Sequence, residues 1–392
     1  MYQGCQWLIT VLVVLLSGYD NSGVLSYAMS IGNIFLPIAT FNLRTYQVSD
    51  INGKFSEGEY IAFRLLTVAV AFLVIIPYTM VSTTDASWAL PTLLYLLFKA
   101  DESICDVLSG VSQKGGRMDY IGISQFMRGV AVVCGFCICI VVTHSLNIAV
   151  LSMFVCCAAI TLTYDFPHAR LFGDIDVSIN RQKIKKLVID GLPLVLSATF
   201  ASMIVTYARQ TFGNEYGSTM LGFYAAVATP SVLVQAAARY LYCPVLVPLA
   251  SRWSNGCSAS FIKYFIRSLL MIALGAGCMA VMLLVFCPSL LELIYGAELN
   301  QFFHLIPVMV LGTVMNTFLY FLLDVLVILR SLRGAVISGL IGLCVCLIMA
   351  KPMISLWGMD GLNNVVVVSY AIAVIIAALC IMATVRVKHK AE

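Results

Sequence analysis

The sequence predicts an all-α, polytopic membrane protein with about twelve transmembrane helices. Three observations predict this class: 61% of the 392 residues are apolar, only 11% are charged, and the mean hydropathy is +0.97. Soluble domains carry about 25% charged residues, so a chain this apolar cannot cover its surface with polar side chains. Apolar runs of about 20 residues recur along the chain, and each can cross a bilayer as a helix.

Twelve apolar windows define the predicted spans. They cover residues 2–17, 23–43, 60–82, 88–112, 119–143, 146–163, 187–209, 218–249, 263–287, 302–329, 334–351 and 362–385. The longest connection follows the sixth window, so we expect an N-terminal six-helix bundle at 1–163, a cytoplasmic linker at 164–186 and a C-terminal six-helix bundle at 187–392. Acidic, glycine-bearing turns recur between windows 1 and 2 and between windows 7 and 8, which favours two parallel repeats around a central cavity.

The basic residues are distributed asymmetrically among the connections. With both termini placed in the cytoplasm, 18 lysines and arginines lie on the cytoplasmic side and two, Arg209 and Lys351, lie on the outer side. Cytoplasmic connections of membrane proteins are enriched in these residues, so the split supports both the span count and the orientation. The densest basic stretch, 181–186, then faces anionic lipid at a membrane edge, and no nucleic-acid partner is expected.

Residues that could support catalysis or metal binding are scattered. The sequence has no G-x-S-x-G, no H-E-x-x-H and no glycine-rich phosphate loop, so we expect no enzyme, no catalytic residue and no cofactor. Most of the 14 cysteines lie in apolar runs, where cysteine packs as a small hydrophobe. Cys134 and Cys137 form a C-x-x-C motif without the polar surroundings of a redox or metal site, so no metal site is expected.

Span 4 carries an unusual stripe of charged residues. Lys99, Glu102 and Asp106 follow i, i+3 and i+7 spacing, so they share one side of the helix with Ser103 beside them. Lys99 lies on the order of 16 Å below the outer edge, near the bilayer midplane. Charges at this depth are costly and mark functional candidates. Two interpretations stay open: a neutralising Lys99–Glu102 pair packed against a neighbouring helix, or a water-filled path where a carboxylate binds or relays a cation.

Arg128 is the charged residue of span 5, roughly 13 Å from the inner edge. It either pairs with Asp106 or Glu102, or it faces the transport path and meets an anionic group. A guanidinium suits a diphosphate because its planar fork binds two oxygens at once. Together with Lys99, Glu102 and Asp106, Arg128 is therefore a candidate residue of the substrate path.

Four stretches of sequence resemble a known family. The first is the connection after span 2, at 42–50 with Lys54-Phe55-Ser56 and Glu59-Tyr60; the others are 112–124, Gly191-Leu192-Pro193 and the stretch from 222 to 230. Along nearly the whole chain the sequence resembles Wzx-type bacterial polysaccharide and O-antigen flippases. These belong to the multidrug/oligosaccharidyl-lipid/polysaccharide (MOP) exporter superfamily.

This resemblance implies two six-helix bundles whose central cavity opens alternately to each side of the bacterial cytoplasmic (inner) membrane. The implied substrate is an undecaprenyl-diphosphate-linked oligosaccharide flipped outward within the membrane lipid, with proton or sodium coupling. Contacts with other polysaccharide-assembly proteins are also implied. The motif residues Arg44, Tyr46, Gln47, Asp50, Arg117 and Asp119 are, by position, candidates for inner-gate or structural contacts.

Two other functions compete with this interpretation. A multidrug or organic-cation antiporter of the same superfamily would share the topology but would require an acidic cavity. A membrane polysaccharide polymerase or acyltransferase would require a large external loop or a buried His/carboxylate centre, and the sequence shows neither. The first span is short, with about 16 residues before Ser17 and no basic residue ahead of it. We expect a late start methionine or a truncated helix as the explanation.

Overall fold

All regular structure described in the computed structural model is helical. The structure describes residues 2–50, 54–173, 181–255 and 258–389, with the backbone alone at residues 45, 49, 232–241, 258 and 387–389. The main helices are α1 (Tyr2–Thr40), α2 (Leu43–Ser49), α3 (Glu57–Ser82), α4 (Ala89–Lys114), α5 (Met118–Thr143), α6 (Leu146–Ile160), α7 (Phe166–Arg170), α8 (Arg181–Ser254), α9 (Ser258–Tyr295), α10 (Ile306–Ile328) and α11 (Leu332–His389). Short 3-10 turns at Ala86–Trp88 and Ala297–Leu305 and a π-helical turn at Thr161–Asp165 complete these elements.

Three of the helices are divided by a single glycine. Gly18 in α1 and Gly217 in α8 have almost the same backbone angles, with φ of 83° and 85° and ψ of 176° and 174°. Gly358 in α11 has a φ of 55°. Glycine adopts positive φ at no steric cost because it lacks a Cβ atom. Each break lies within a connection predicted from the sequence, between spans 1 and 2, 7 and 8, and 11 and 12, but it consists of a single non-helical glycine and not of a longer loop.

Division at these glycines gives the described chain twelve helical segments of 15 residues or more. Among the residues that the structure describes, eight helices are long and apolar enough to cross a membrane, and the three divided helices are among them. The prediction of an all-α, multi-pass membrane protein with about twelve spans is confirmed. Helix α4 is not among these eight, and it carries five charged residues, four of which are placed below.

Large apolar side chains lie on the surface in both halves of the chain. Leu73 and Val81 are 75% and 88% exposed, and Leu293 and Ile348 are 83% and 75% exposed. Such side chains are unusual on the surface of a soluble protein at this density. Contact with lipid tails accounts for them.

The described chain forms two compact units. The first comprises residues 1–195 and 216–222, and the second comprises residues 196–215 and 223–392. Within the region predicted as a linker, 164–170 and 181–186 are helical, and 174–180 lies outside the described residues. The bundle boundaries at 163 and 187 stay a prediction.

Helix α4 is a largely buried helix of the first unit. It packs against α1, α3 and α6, and 16 of its 26 residues are buried, against six of 26 in α5. Lipid therefore contacts α5 far more than α4. This position explains how α4 can carry charges at membrane depth, because its neighbours supply partners for them.

Two helix segments of the first unit cross at a pair of glycines. A Cβ atom on Gly23 would lie 1.8 Å from the backbone oxygen of Ser218, and one on Gly222 would lie 1.9 Å from the backbone oxygen of Tyr19. The contacts are reciprocal, since Tyr19 and Gly23 correspond to Ser218 and Gly222 at a constant spacing of 199 residues. Gly18 and Gly217 have the same spacing, which supports the predicted repeat.

Candidate transport site

The charged residues around α4 form three separate groups in the first unit. Asp101 belongs to a group with Arg128 and Asp165, which we call the Arg128 triad. Lys99 pairs with Glu102. Asp106 belongs to a third group, the Asp106 cluster, which it forms with two arginines.

The Arg128 triad is almost completely buried. Arg128 is 1% exposed, and its Nη1 atom donates to Asp101 Oδ2 at 2.7 Å while Nη2 donates to Asp165 Oδ2 at 2.9 Å. The Thr161 hydroxyl donates to Asp101 Oδ1 at 2.6 Å and also accepts from Arg128. One guanidinium is thus held by one charge-assisted bond to each of two carboxylates and by a bond to a hydroxyl.

A π-helical turn places two of these groups. Thr161 and Asp165 are the first and last residues of the turn between α6 and α7, and both are buried. A π turn is wider than an α turn and is frequent at functional sites. Here the turn points a hydroxyl and a carboxylate at the same guanidinium without ending the helix.

Lys99 and Glu102 form the predicted neutralising pair. Their Nζ and Oε2 atoms lie 2.7 Å apart, and Lys99 also donates to Gln6 Oε1 at 3.4 Å. The Lys99 ammonium lies over the rings of Tyr95 and Phe98, 5.5 and 5.2 Å from their centroids. Aromatic faces stabilise a cation removed from water, so this lysine is well accommodated.

The Asp106 cluster lies nearer the predicted cytoplasmic end. Arg64 is fully buried and donates to Asp106 Oδ2 at 2.7 Å and to the Ala39 carbonyl at 2.9 Å. Arg44 donates to Asp106 Oδ1 at 3.5 Å and, from Nη2, to Gln113 Oε1 at 2.8 Å. Two arginines around one carboxylate leave the Asp106 cluster with an excess of positive charge.

Of the two interpretations of Arg128, the pairing with Asp106 or Glu102 is wrong, since Arg128 pairs with Asp101 and Asp165. Five residues of helix separate Asp101 from Asp106, which places them about 140° apart around the α4 axis. Arg128 approaches the side of α4 that carries Asp101, whereas the stripe of Lys99 and Asp106 lies on the other side.

Three residues of these charged groups were not among the candidates predicted from the sequence. Asp101 stands inside the charged stretch of α4, Asp165 lies two residues beyond the predicted sixth span, and Arg64 was counted with the cytoplasmic connections. A search for every charge inside or within one turn of a predicted span would have found all three. Their partners, however, depend on how the helices are rotated about their axes.

The motif between α2 and α3 forms a compact polar network. Asp50 accepts from the backbone nitrogens of Lys54 and Phe55, at 3.0 and 2.9 Å, and from the Tyr60 hydroxyl at 3.1 Å. Burial alone would raise the pKa of Asp50, but these donors outweigh it and the pKa is lowered. Ser56 then caps α3 with Glu59 in a reciprocal capping box.

Other motif residues join elements at the predicted cytoplasmic end. Gln47 is buried and donates to Glu57 at 2.7 Å. Tyr46 is exposed and donates to Asp190 at 3.0 Å, which joins α2 to α8. The exposed pair of Arg117 and Asp119, 2.6 Å apart, lies at the start of α5. A structural or gate role stays a prediction for the six motif residues Arg44, Tyr46, Gln47, Asp50, Arg117 and Asp119.

The second unit contains a polar group without a carboxylate. The half-buried Arg209 guanidinium lies 5.7 Å from the centre of the Tyr224 ring, and the Tyr224 hydroxyl donates to Asn363 Oδ1 at 2.8 Å. Arg209 Nε and Asn363 Nδ2 are buried and have no hydrogen-bond partner in the described structure. Arg209 lies inside α8, not in the outer connection where the sequence placed it.

No group of three His, Cys, Asp or Glu residues in the described ranges is arranged to hold a metal ion.

Solved structures resemble the chain over its whole length. An inward-facing structure of a multidrug resistance MATE family transporter of the MOP superfamily has a TM-score of 0.76 at 11% identity, covering 100% of this chain and 96% of that one. The chain has the fold of a MOP-superfamily transporter. A structure of the Vibrio cholerae MATE transporter VcmN has a TM-score of 0.65 at 18% identity, covering 98% and 94%.

The MOP-type fold agrees with a relative in sequence. The chain is 26% identical over 304 residues to the capsular polysaccharide biosynthesis protein CapF of Staphylococcus aureus, which covers 76% of this chain and 74% of that protein. No family model matches the chain. The predicted resemblance to the MOP superfamily is confirmed, while the path roles of Lys99, Glu102, Asp106 and Arg128 stay predictions.

Proposed function

We propose that this protein flips a lipid-linked oligosaccharide from the cytoplasmic to the outer leaflet of a bacterial inner membrane, for a surface polysaccharide. The observation that carries the proposal is the similarity to CapF over about three quarters of both chains. A MOP-type fold supplies a transporter architecture, and alternating access is the mechanism we propose for it. Both termini are proposed to be cytoplasmic, as the distribution of basic residues indicates.

The charges inside the helices favour an anionic substrate over an organic cation. Each carboxylate in the three groups around α4 has a cationic partner within 3.5 Å. The three groups together hold four carboxylates and four cationic side chains, so they present no net negative charge to an organic cation. In the second unit, Arg209 has no carboxylate partner among the described residues, so a positive charge is available there for a diphosphate or an acidic sugar.

A multidrug antiporter is the second candidate. The MATE structures that share the fold carry that name, and the fold fits such a function equally well. The candidates differ in substrate charge, which makes Arg209 the residue that separates them. The absence of an enzymatic activity stays a prediction.

Deletion of the gene tests the proposal. We expect lipid-linked repeat units to accumulate on the cytoplasmic side and surface polysaccharide to be lost, with recovery when the wild-type gene is returned. In the same strain Arg209→Gln should restore little polysaccharide, whereas the matched variant Lys351→Gln, at an exposed lysine of α11, should restore it fully. Normal surface polysaccharide in the deletion strain, together with lost resistance to organic cations, would favour the antiporter.

A further inference from the structure

The first turns of α8 present a stripe of basic and apolar side chains on their exposed side. Arg181, Lys185, Ile189 and Leu192 follow i, i+4, i+8 and i+11 spacing, which places them within about 80° around the helix axis. All four are exposed, Ile189 by 60% and Leu192 by 43%. The stripe therefore begins with two cations and ends with two large aliphatic side chains.

The opposite side of this segment is fixed to the first unit. Leu187 is 4% exposed and belongs to the apolar cluster that includes Phe55. Lys183 forms an ion pair with Glu59 of α3 at 2.8 Å, and the Asp190 carboxylate accepts a hydrogen bond from α2 at 3.0 Å. These contacts fix the rotation of α8 about its axis, and with it the direction that the stripe faces.

The cations on the exposed side have no acidic partner in the described part of the chain. Lys183 is neutralised by its pair on α3, whereas Arg181, Lys185 and Lys186 form no ion pair with any described residue. The sequence predicted contact with anionic lipid for the whole stretch 181–186, and the structure leaves three of its four basic residues available for it. Like charges so close together repel one another, so an anionic ligand would relieve this repulsion.

The change from basic to apolar side chains marks the depth of the membrane boundary. Lys185 and Ile189 are one helical turn apart, about 6 Å along the axis. Ile189 and Leu192 are exposed in the manner of side chains that contact lipid tails. Lysine and arginine at a membrane edge extend their charged ends towards the interface. The cations of the stripe therefore lie at the depth of the lipid phosphates.

We propose that Arg181 and Lys185 bind the headgroup of an anionic phospholipid in the cytoplasmic leaflet. Ile189 and Leu192 contact its acyl chains, and Lys186 adds to the positive charge beside the headgroup. A zwitterionic phospholipid offers the same acyl chains, but its ammonium group cancels the charge of its phosphate, so the anionic lipid is preferred. The bound lipid holds the start of α8 at the membrane surface, whatever substrate the protein carries.

Quenching of a tryptophan by brominated lipid tests this site locally. The purified full chain with Ile189→Trp is placed in vesicles of phosphatidylcholine and phosphatidylglycerol, with bromine on the acyl chains of one lipid or the other. The wild-type chain, measured in parallel, gives the signal of the four native tryptophans. Each basic residue near an anionic surface contributes roughly fivefold, so we expect a preference of about thirtyfold for phosphatidylglycerol at low salt. This preference should disappear at about 1 M salt, where charges are screened within about 3 Å.

Leu73→Trp is the matched control for the position of the tryptophan. Leu73 is 75% exposed on α3, and no basic residue lies within eight positions of it along the chain, so both lipids should quench this tryptophan equally. Arg181→Gln together with Lys185→Gln, added to Ile189→Trp, should abolish the preference. Lys185→Arg keeps the charge and should keep the preference.

Three results would overturn the proposal. The first is equal quenching of Ile189→Trp by the two lipids, and the second is a preference that Arg181→Gln with Lys185→Gln leaves unchanged. The third is release of the quenching by a small fraction of unbrominated polyprenyl diphosphate, which would assign the site to a lipid of the substrate class instead. A flippase failure in cells would leave each of these measurements unaffected.

Discussion

Replacement of Gly23 by alanine should destabilise the protein strongly. The backbone is helical at Gly23, so an alanine there causes no backbone strain and meets only a steric clash. Its Cβ atom would lie 1.8 Å from the backbone oxygen of Ser218, whereas an ordinary van der Waals contact begins at 3.4 Å. The helices would have to separate by about 1.6 Å, the difference between these distances. Because the obstacle is backbone and cannot rotate away, we expect a cost of about 3 kcal/mol, the upper end for overpacking.

Thermal unfolding of the purified protein in detergent measures this cost, and Gly122→Ala is the matched control. Gly122 lies in helix α5, and a Cβ atom added there would meet no neighbouring atom within 4 Å. Alanine at this position should therefore stabilise the protein by about 0.4–1 kcal/mol, because it lowers the conformational entropy of the unfolded chain. Gly222→Ala should repeat the loss at Gly23, and the double variant should lose less than the sum because one separation relieves both contacts. Equal stability of Gly23→Ala and Gly122→Ala would refute the close crossing.

Two further predictions concern the charged groups. Asp106→Asn should destabilise the protein by about 3 kcal/mol in the same assay, the lower end of the cost of breaking a buried ion pair, because the Asp106 side chain is 27% exposed. Adding Arg64→Met to Asp106→Asn should recover most of this loss, because it removes the buried charge that has lost its partner. No recovery in the double variant would contradict this explanation. The lowered pKa of Asp50 means that its carboxylate adds stability above its unfolded pKa of about 4 and loses this as pH falls. Asp50→Asn should therefore flatten the fall in melting temperature below about pH 4, and an unchanged acid profile would argue against the network around Asp50.

The helices were predictable because their signals are local. Span 5 was predicted at 119–143, and α5 runs from Met118 to Thr143. Both ends have local causes, because Gly115 and Gly116 precede the helix and His144 ends it with a positive φ of 51°. The Lys99–Glu102 pair was predictable for the same reason, because i, i+3 residues meet on any helix.

The partners of Arg128 were not predictable from local signals. They depend on the rotation of α4 towards α5 and on a π turn that begins at Thr161, and no residue pattern in the sequence specifies either. The crossing at Gly23 and Gly222 likewise needs the packing of segments 199 residues apart. The two similar glycine-bearing turns indicated the repeat, but they did not indicate that Gly23 and Gly222 lie at one helix crossing.

We propose that this chain moves a lipid-linked oligosaccharide across a bilayer. The most direct test reconstitutes the purified protein in liposomes that contain such a lipid, and measures the fraction reached by a membrane-impermeant reagent that modifies its sugar. The proposal predicts that the reachable fraction rises with the wild-type protein and much less with Arg209→Gln. A fraction equal to that of protein-free liposomes, for a preparation that is folded and correctly inserted, would contradict the proposal.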